Sequence, residues 1–228
     1  NQLAEVFGAK LDVHALSLDE PTADISLGPA MSENAFLNAF SIGWEAVDLD
    51  TDLLILGEMG IGNTTAAAAM MMALYGDAAE DWAGRGTGLD DAGLKAKAAV
   101  VARAVNANPA TDGISILRCL GGREISAMAA AILRARRERI PVILDGFICS
   151  AAAACLHAID PAALNHTVAG HLSAEGAHDK VLKRIGKEPI LSLEMRLGEG
   201  SGAAVALGVL KAALVCHSGM STFDEAGV

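Results

Sequence analysis

Three short apolar runs in this chain each end in an acid close to glycine, and that repetition limits the folds open to it. Leu53-Leu54-Ile55-Leu56 leads into Gly57-Glu58, and Pro141-Val142-Ile143-Leu144 into Asp145-Gly146. A weaker run, residues 167–172, leads into Ser173-Ala174-Glu175-Gly176. β-type runs of this length, alternating with helical stretches, predict parallel strands joined by helical crossovers. The expected fold is α/β: a doubly wound, mostly parallel, Rossmann-like sheet with helices on both faces. In such sheets ligands bind outside the carboxyl ends of the strands, so the acids mark a candidate site.

Other elements follow from the same patterns. Residues 10–16 read as a first strand, and Ser32 with Asn34 opens a helix to about residue 47. Thr64 is expected to cap an Ala/Met helix beginning near Thr65, with a further helix over residues 91–106. Residues 116–120 read as a strand, and Gly121-Gly122-Arg123-Glu124 opens a helix ending near Arg139. An apolar helix is expected from Ala203 to about His217. Gly84-Arg85-Gly86-Thr87-Gly88 follows a helix rather than a strand, so it reads as a flexible loop and not a dinucleotide fingerprint. Residues 140–159 are apolar and about membrane length, but Asp145-Gly146 interrupts them, so strand, loop and helix are expected there.

Composition narrows the function. Apolar residues make up 52% and charged residues 20% of the 228, enough for a buried core. The net charge of −11 argues against a nucleic-acid partner. It leaves room for a phosphorylated ligand, since backbone N–H groups and a lysine bind phosphate locally. Cys119, Cys149, Cys155 and Cys216 form no C-x-x-C pair and are expected to be reduced, buried thiols of a cytoplasmic protein. The histidines show no metal-ligand spacing, so no metal is expected. No signal peptide is visible, and no membrane partner is expected. The chain lacks an initiator Met and starts in a helix-like run, which is expected of part of a longer protein.

Several residues can carry chemistry. Gly57-Glu58-Met59-Gly60-Ile61-Gly62-Asn63-Thr64 has P-loop spacing, but Asn63 stands where the phosphate-binding Lys is needed, which disfavours NTP hydrolysis. The turn can still aim N–H groups at an anion. Glu58 is costly among those glycines if buried without a partner. Glu199, between Gly198 and Gly200, is either a solvated loop acid or a carboxylate that a Gly-rich backbone brings close to a ligand. Asp145 is a site residue or a helix N-cap. Ser173 and its loop cradle a phosphate or cap the next helix, and Lys97 can neutralise such a phosphate. His171 and His178 flank that loop with no partner visible, and the arginine-rich run 134–139 reads as a solvated helix end.

Taken in order, five segments resemble the nicotinate-nucleotide:dimethylbenzimidazole phosphoribosyltransferase family of cobalamin synthesis. They are the 57–65 turn, Leu120-Gly121-Gly122-Arg123-Glu124-Ile125, Asp145-Gly146-Phe147, Gly170-His171-Leu172-Ser173-Ala174-Glu175 and Arg196-Leu197-Gly198-Glu199-Gly200-Ser201-Gly202. The resemblance continues to the end of the chain at Val228 and covers the C-terminal two-thirds of longer family members. In the family, the preceding segment supplies part of a small helical domain and some contacts to the benzimidazole. The resemblance implies a catalytic α/β domain over residues 1–205, with residues 206–228 contributing to the small helical domain. It implies transfer of phosphoribose from nicotinate mononucleotide to 5,6-dimethylbenzimidazole, giving α-ribazole 5′-phosphate and nicotinate, by a homodimer that needs no cofactor. It makes Glu199 the proton acceptor and Glu58 a second active-site carboxylate. Gly60, Lys97, Asp145, Gly146, Ser173, Gly176 and Leu197 are implied to bind substrate. The proton acceptor is expected to be partly buried, which raises its pKa toward the working pH. The alternative is a non-catalytic, nucleotide-binding relative lacking the N-terminal segment.

Overall fold

In the computed structural model, which describes residues 1–86 and 88–227, four parallel strands lie side by side in sequence order. They are β1 (Leu54–Leu56), β2 (Val142–Leu144), β3 (Thr167–Leu172) and β4 (Pro189–Ser192). The register pairs Leu56 with Leu144, Leu144 with Ala169 and Ala169 with Pro189. The helices are α1 (Gln2–Phe7), α2 (Glu33–Glu45), α3 (Asn63–Tyr75), α4 (Ala79–Trp82), α5 (Asp91–Ala107), α6 (Gly113–Leu120), α7 (Arg123–Glu138), α8 (Gly146–Ile159), α9 (His178–Arg184), α10 (Ser201–Gly219) and α11 (Phe223–Ala226).

Strand alternation divides the core between the two faces of the sheet. Val142 and Leu144 point into the larger cluster, built mainly from α3, α6, α7 and α8. Ile143 points the other way, against Ala203 and Ala206 of α10. Each such fully buried aliphatic side chain stabilises the fold by roughly 1.5–3 kcal/mol. The α/β expectation, with helices on both faces, therefore holds, and the apolar stretch 140–159 is the buried pair β2 and α8. Helix α10 is long and apolar enough to cross a membrane, yet its first turns pack on the sheet while its far half is exposed.

Small residues let the helices approach closely. A Cβ on Gly43 of α2 would lie 2.1 Å from the Ala127 carbonyl oxygen of α7, and one on Gly113 would lie 2.1 Å from that of Cys155 in α8. The rim of this layer is aromatic and cationic: the guanidinium groups of Arg134 and Arg137 lie 5.2 and 5.8 Å from the Trp44 ring centroid. The arginine run is thus partly packed rather than wholly solvated.

Four local expectations are corrected. Residues 10–16 form no strand; Lys10 to Ala15 are exposed and pair with none of the four strands. Residues 116–120 belong to helix α6, because Asp112 caps it, accepting from Ile114 N and Ser115 N, and its apolar residues share one face. Helix α3 starts at Asn63 with Gly62, not Thr64, at the cap position. Cys119, Cys149 and Cys155 are buried, but Cys216 is exposed on α10. Thr87 of the Gly84-to-Gly88 loop and Val228 at the end of the resemblance lie outside the described residues.

Replacing Gly43 with Ala is expected to destabilise the protein. Overpacking against a helix backbone costs roughly 1–3 kcal/mol, more than the gain of up to about 1 kcal/mol from better helix propensity. A lower midpoint of urea unfolding is the expected result; an unchanged midpoint would show α2 free to move off α7.

Candidate functional site

The segment after β4 runs back across the carboxyl ends of the other three strands, and this path builds the site. Ala174 N, just past β3, donates to the Met195 carbonyl at 2.9 Å. Gly200 N donates to Asp145, at the end of β2, at 3.2 Å. Past β1, Gly57 lies so close that a Cβ there would sit 2.4 Å from Glu199 C and Gly200 N. Only glycine fits at that position.

Glu199 stands on a turn of three consecutive left-handed residues. Gly198 and Gly200 have φ of 80° and 73°, and Glu199 itself has φ of 59°. A side-chain-bearing residue held there costs roughly 1–3 kcal/mol. Ser201 N closes the turn on the Gly198 carbonyl at 3.0 Å. The side chain of Glu199 is exposed at the mouth of the site.

Glu58 faces this turn: a Cβ on Gly198 would be 3.4 Å from Glu58 Oε1. The Asn63 amide donates to Glu58 Oε2, which spends the side chain at the P-loop lysine position on a carboxylate and leaves none there for a phosphate. Burial pushes the Glu58 pKa up to about 7; the Asn63 bond opposes this, while Glu124, Asp145 and Glu199 add to it. Partial burial was expected of the proton acceptor Glu199. It falls instead on Glu58. At Gly60 a Cβ would lie 2.1 Å from Glu124 Oε1 and 2.5 Å from Asn63 Nδ2, so any side chain there would push these two groups away from their present positions.

A second group of residues suits phosphate. Lys97, 7% exposed, donates from Nζ to Thr64 Oγ1 and to the Gly84 carbonyl, both at 2.9 Å. Burial lowers its pKa, with Glu175 opposing. Ser173 is buried, and its Oγ accepts from Glu175 N at 3.4 Å. Gly146 has φ of 38°, and a Cβ on it would lie 3.8 Å from Ser173 Cβ. Gly176 and Leu197, by contrast, are exposed, and a Cβ on Gly176 would meet nothing within 4 Å.

Two histidines that lacked a visible partner in the sequence hold this floor together. His178 accepts from Ser173 N on Nδ1, and its Nε2 lies 2.9 Å from Ser150 Oγ. Burial, followed by the nearby His171, lowers its pKa to about 3, so the ring is neutral. His171 Nε2 accepts from Gly146 N at 3.2 Å and lies 3.3 Å from Asp145 Oδ1. Sequence reasoning also missed Thr64 as the Lys97 partner and Glu124 as a neighbour of Glu58. A buried histidine implies a partner, but only the fold names it.

Beside the 60–63 turn lies a cleft of about 240 Å³, lined by residues including Asp24, Thr65 and Gly122 together with Asn63 and Glu124, the neighbours of Glu58. It is small for a nucleotide, whose sites usually span roughly 300–1,000 Å³.

Comparison with known proteins agrees with the ordered motifs. A family model described as "Phosphoribosyltransferase" matches residues 1–228. The nicotinate-nucleotide–dimethylbenzimidazole phosphoribosyltransferase of Ruegeria sp. (strain TM1040) is 63% identical over 228 residues, covering all of this chain and 68% of its own length. That of Roseobacter denitrificans is 63% identical over 230 residues, again covering 68% of the relative. Among solved structures, the enzyme of the same name from Thermus thermophilus aligns with TM-score 0.86 at 36% identity, covering all of this chain and 73% of that one. The chain belongs to the nicotinate-nucleotide–dimethylbenzimidazole phosphoribosyltransferase family.

Proposed function

We propose that this chain moves phosphoribose from nicotinate mononucleotide to 5,6-dimethylbenzimidazole, with Glu199 as proton acceptor. A ring nitrogen of the benzimidazole bonds to the anomeric carbon as the bond from that carbon to the nicotinate nitrogen breaks. The pyridinium leaves as a neutral pyridine, taking the bonding pair, so no acid is needed for departure. The other benzimidazole N–H gives its proton to the Glu199 carboxylate, which completes the balance. Glu58 as a carboxylate stabilises the positive charge that builds on the ribose.

The observation that carries this reading is the contact of the 198–200 turn with Gly57 and Glu58, which gives one mouth two carboxylates from separate loops. Lys97 and the Ser173 hydroxyl are assigned to the 5′-phosphate end, with Gly146, whose N–H is held by His171, shaping the turn beside them, and Gly60 to the backbone beside the ribose. Exposed Leu197, Met59 and Ile61 offer apolar surface for an aromatic base; Gly176 stays a candidate on the solvent side. The same reading includes a homodimer in the cytoplasm, with residues 206–228 in a small helical domain. The exposed Val209, Leu214 and Val215 of α10 support a partner surface there.

Glu199→Gln is expected to lower kcat by about 10²–10⁴-fold, the usual contribution of a positioned base. Steady-state turnover measures it, and unchanged turnover would overturn the assignment. Lys97→Met is expected to raise KM for nicotinate mononucleotide by roughly 10–100-fold, as lost charged hydrogen bonds do.

Glu58 gives two pH dependences. Its carboxylate form is the active one here, so activity rises as pH passes about 7, and a pH–rate profile of Glu58→Gln should lack that limb. For stability, a pKa raised on folding favours the folded state when protonated. That contribution is complete below pH 4.5 and lost as pH rises through about 7. Relative to the parent, Glu58→Gln should therefore gain stability across that interval in urea titrations. A constant difference would refute the raised pKa.

A further inference from the structure

We infer that Asp145 is a positioning residue for Glu199, holding the catalytic turn rather than the substrate. This step rests on the reading of Glu199 as proton acceptor. Asp145 occupies the N-cap position of α8 but makes no side-chain bond to that helix. Both carboxylate oxygens instead serve α10: Oδ2 accepts from Gly200 N at 3.2 Å and Oδ1 from Ala203 N at 2.9 Å.

Those two donors have no alternative. A helix cannot pair its own first N–H groups, Gly200 and Ala203 are buried, and Asp145 itself is only 4% exposed. Turning the carboxylate toward a ribose hydroxyl would orphan both buried N–H groups, which a fold tolerates poorly. His171 closes the remaining side: its Nε2 lies 3.3 Å from Oδ1, and a Cβ on Gly202 would lie 2.2 Å from that same atom. A carboxylate at a helix N-terminus is also favoured by the backbone dipoles.

The consequence falls on Glu199, the residue next to Gly200. Its left-handed conformation opposes its own backbone preference, so the turn needs restraint from outside. Gly57 blocks one direction of escape, and Asp145 ties down the residue on the helical side.

The test is a double-mutant cycle of Asp145→Asn and Glu199→Gln on the full chain, with nicotinate mononucleotide and dimethylbenzimidazole as substrates. Asparagine keeps the shape and one acceptor but loses the second. Asp145→Asn alone is expected to lower kcat by about 10–100-fold, as small misplacements of a catalytic group do. KM and the calorimetric Kd for nicotinate mononucleotide should stay within about twofold, and in the Glu199→Gln background Asp145→Asn should add less than about twofold. A tenfold weaker Kd with kcat retained, or an equal fall in both backgrounds, would overturn the inference. Unchanged turnover in Glu199→Gln alone would overturn the proposed function instead. Amide hydrogen exchange on the unmutated chain gives a measure independent of folding of the variant. Gly200 and Ala203 should stay protected when nicotinate mononucleotide is added; loss of protection would mean that Asp145 leaves them for the substrate.

Discussion

Two turns at the carboxyl edge of the sheet touch backbone to backbone, and the site exists because they do. Gly57 follows β1, at one edge of the sheet, and Glu199 follows β4, at the other. A Cβ on Gly57 would lie 2.4 Å from Glu199 C, so no other residue type permits the approach. The intervening segment bonds to the ends of β3 and β2 on its way. A loop fixed at three strand ends has little freedom to move Glu199. That rigidity suits a proton acceptor, whose contribution depends on holding hydrogen-bond distance to one N–H.

The same convergence has an electrostatic cost. Glu124, Asp145 and Glu199 all raise the pKa of Glu58, and burial adds the largest share. A mouth lined with acids disfavours anions, yet the proposed donor carries a phosphate. The fold separates the two demands in space. In the proposed reading Lys97 and the Ser173 hydroxyl stand at the phosphate end, over a turn whose Gly146 and Ser173 N–H groups are held by His171 and His178, while the acids stand at the ring and ribose end. On that reading, donor charge and site charge match end to end.

Much of this architecture is legible in the amino-acid sequence. Residues 141–144 read as a buried strand because four apolar residues end at Asp145-Gly146, and β2 is there. The strand-end acids point to the right edge of the sheet, since parallel strands place their carboxyl ends together. Residues 116–120 mislead because a short apolar run fits either period; the deciding signal is Asp112, four residues upstream, acting as a cap. β4 escapes notice because it is short, half-buried and begins with Pro, the pattern of an edge strand. Burial of Glu58 rather than Glu199 is out of reach, because it depends on which loop crosses above which.

Asp145 shows how little position in sequence says about where a side chain bonds. At the start of α8 it looks like that helix's cap, and at a strand end it looks like a ligand group. Its oxygens leave the α8 cap unmade and bond instead to α10, which begins within reach from a distant part of the chain with unpaired N–H groups of its own. Helix starts bring donors that must be satisfied, and a buried carboxylate brings charge that must be paired. Each solves the other's problem, and the solution fixes the residue between them. A site built this way couples folding to chemistry: the bonds that complete the first turn of α10 are the bonds that aim Glu199.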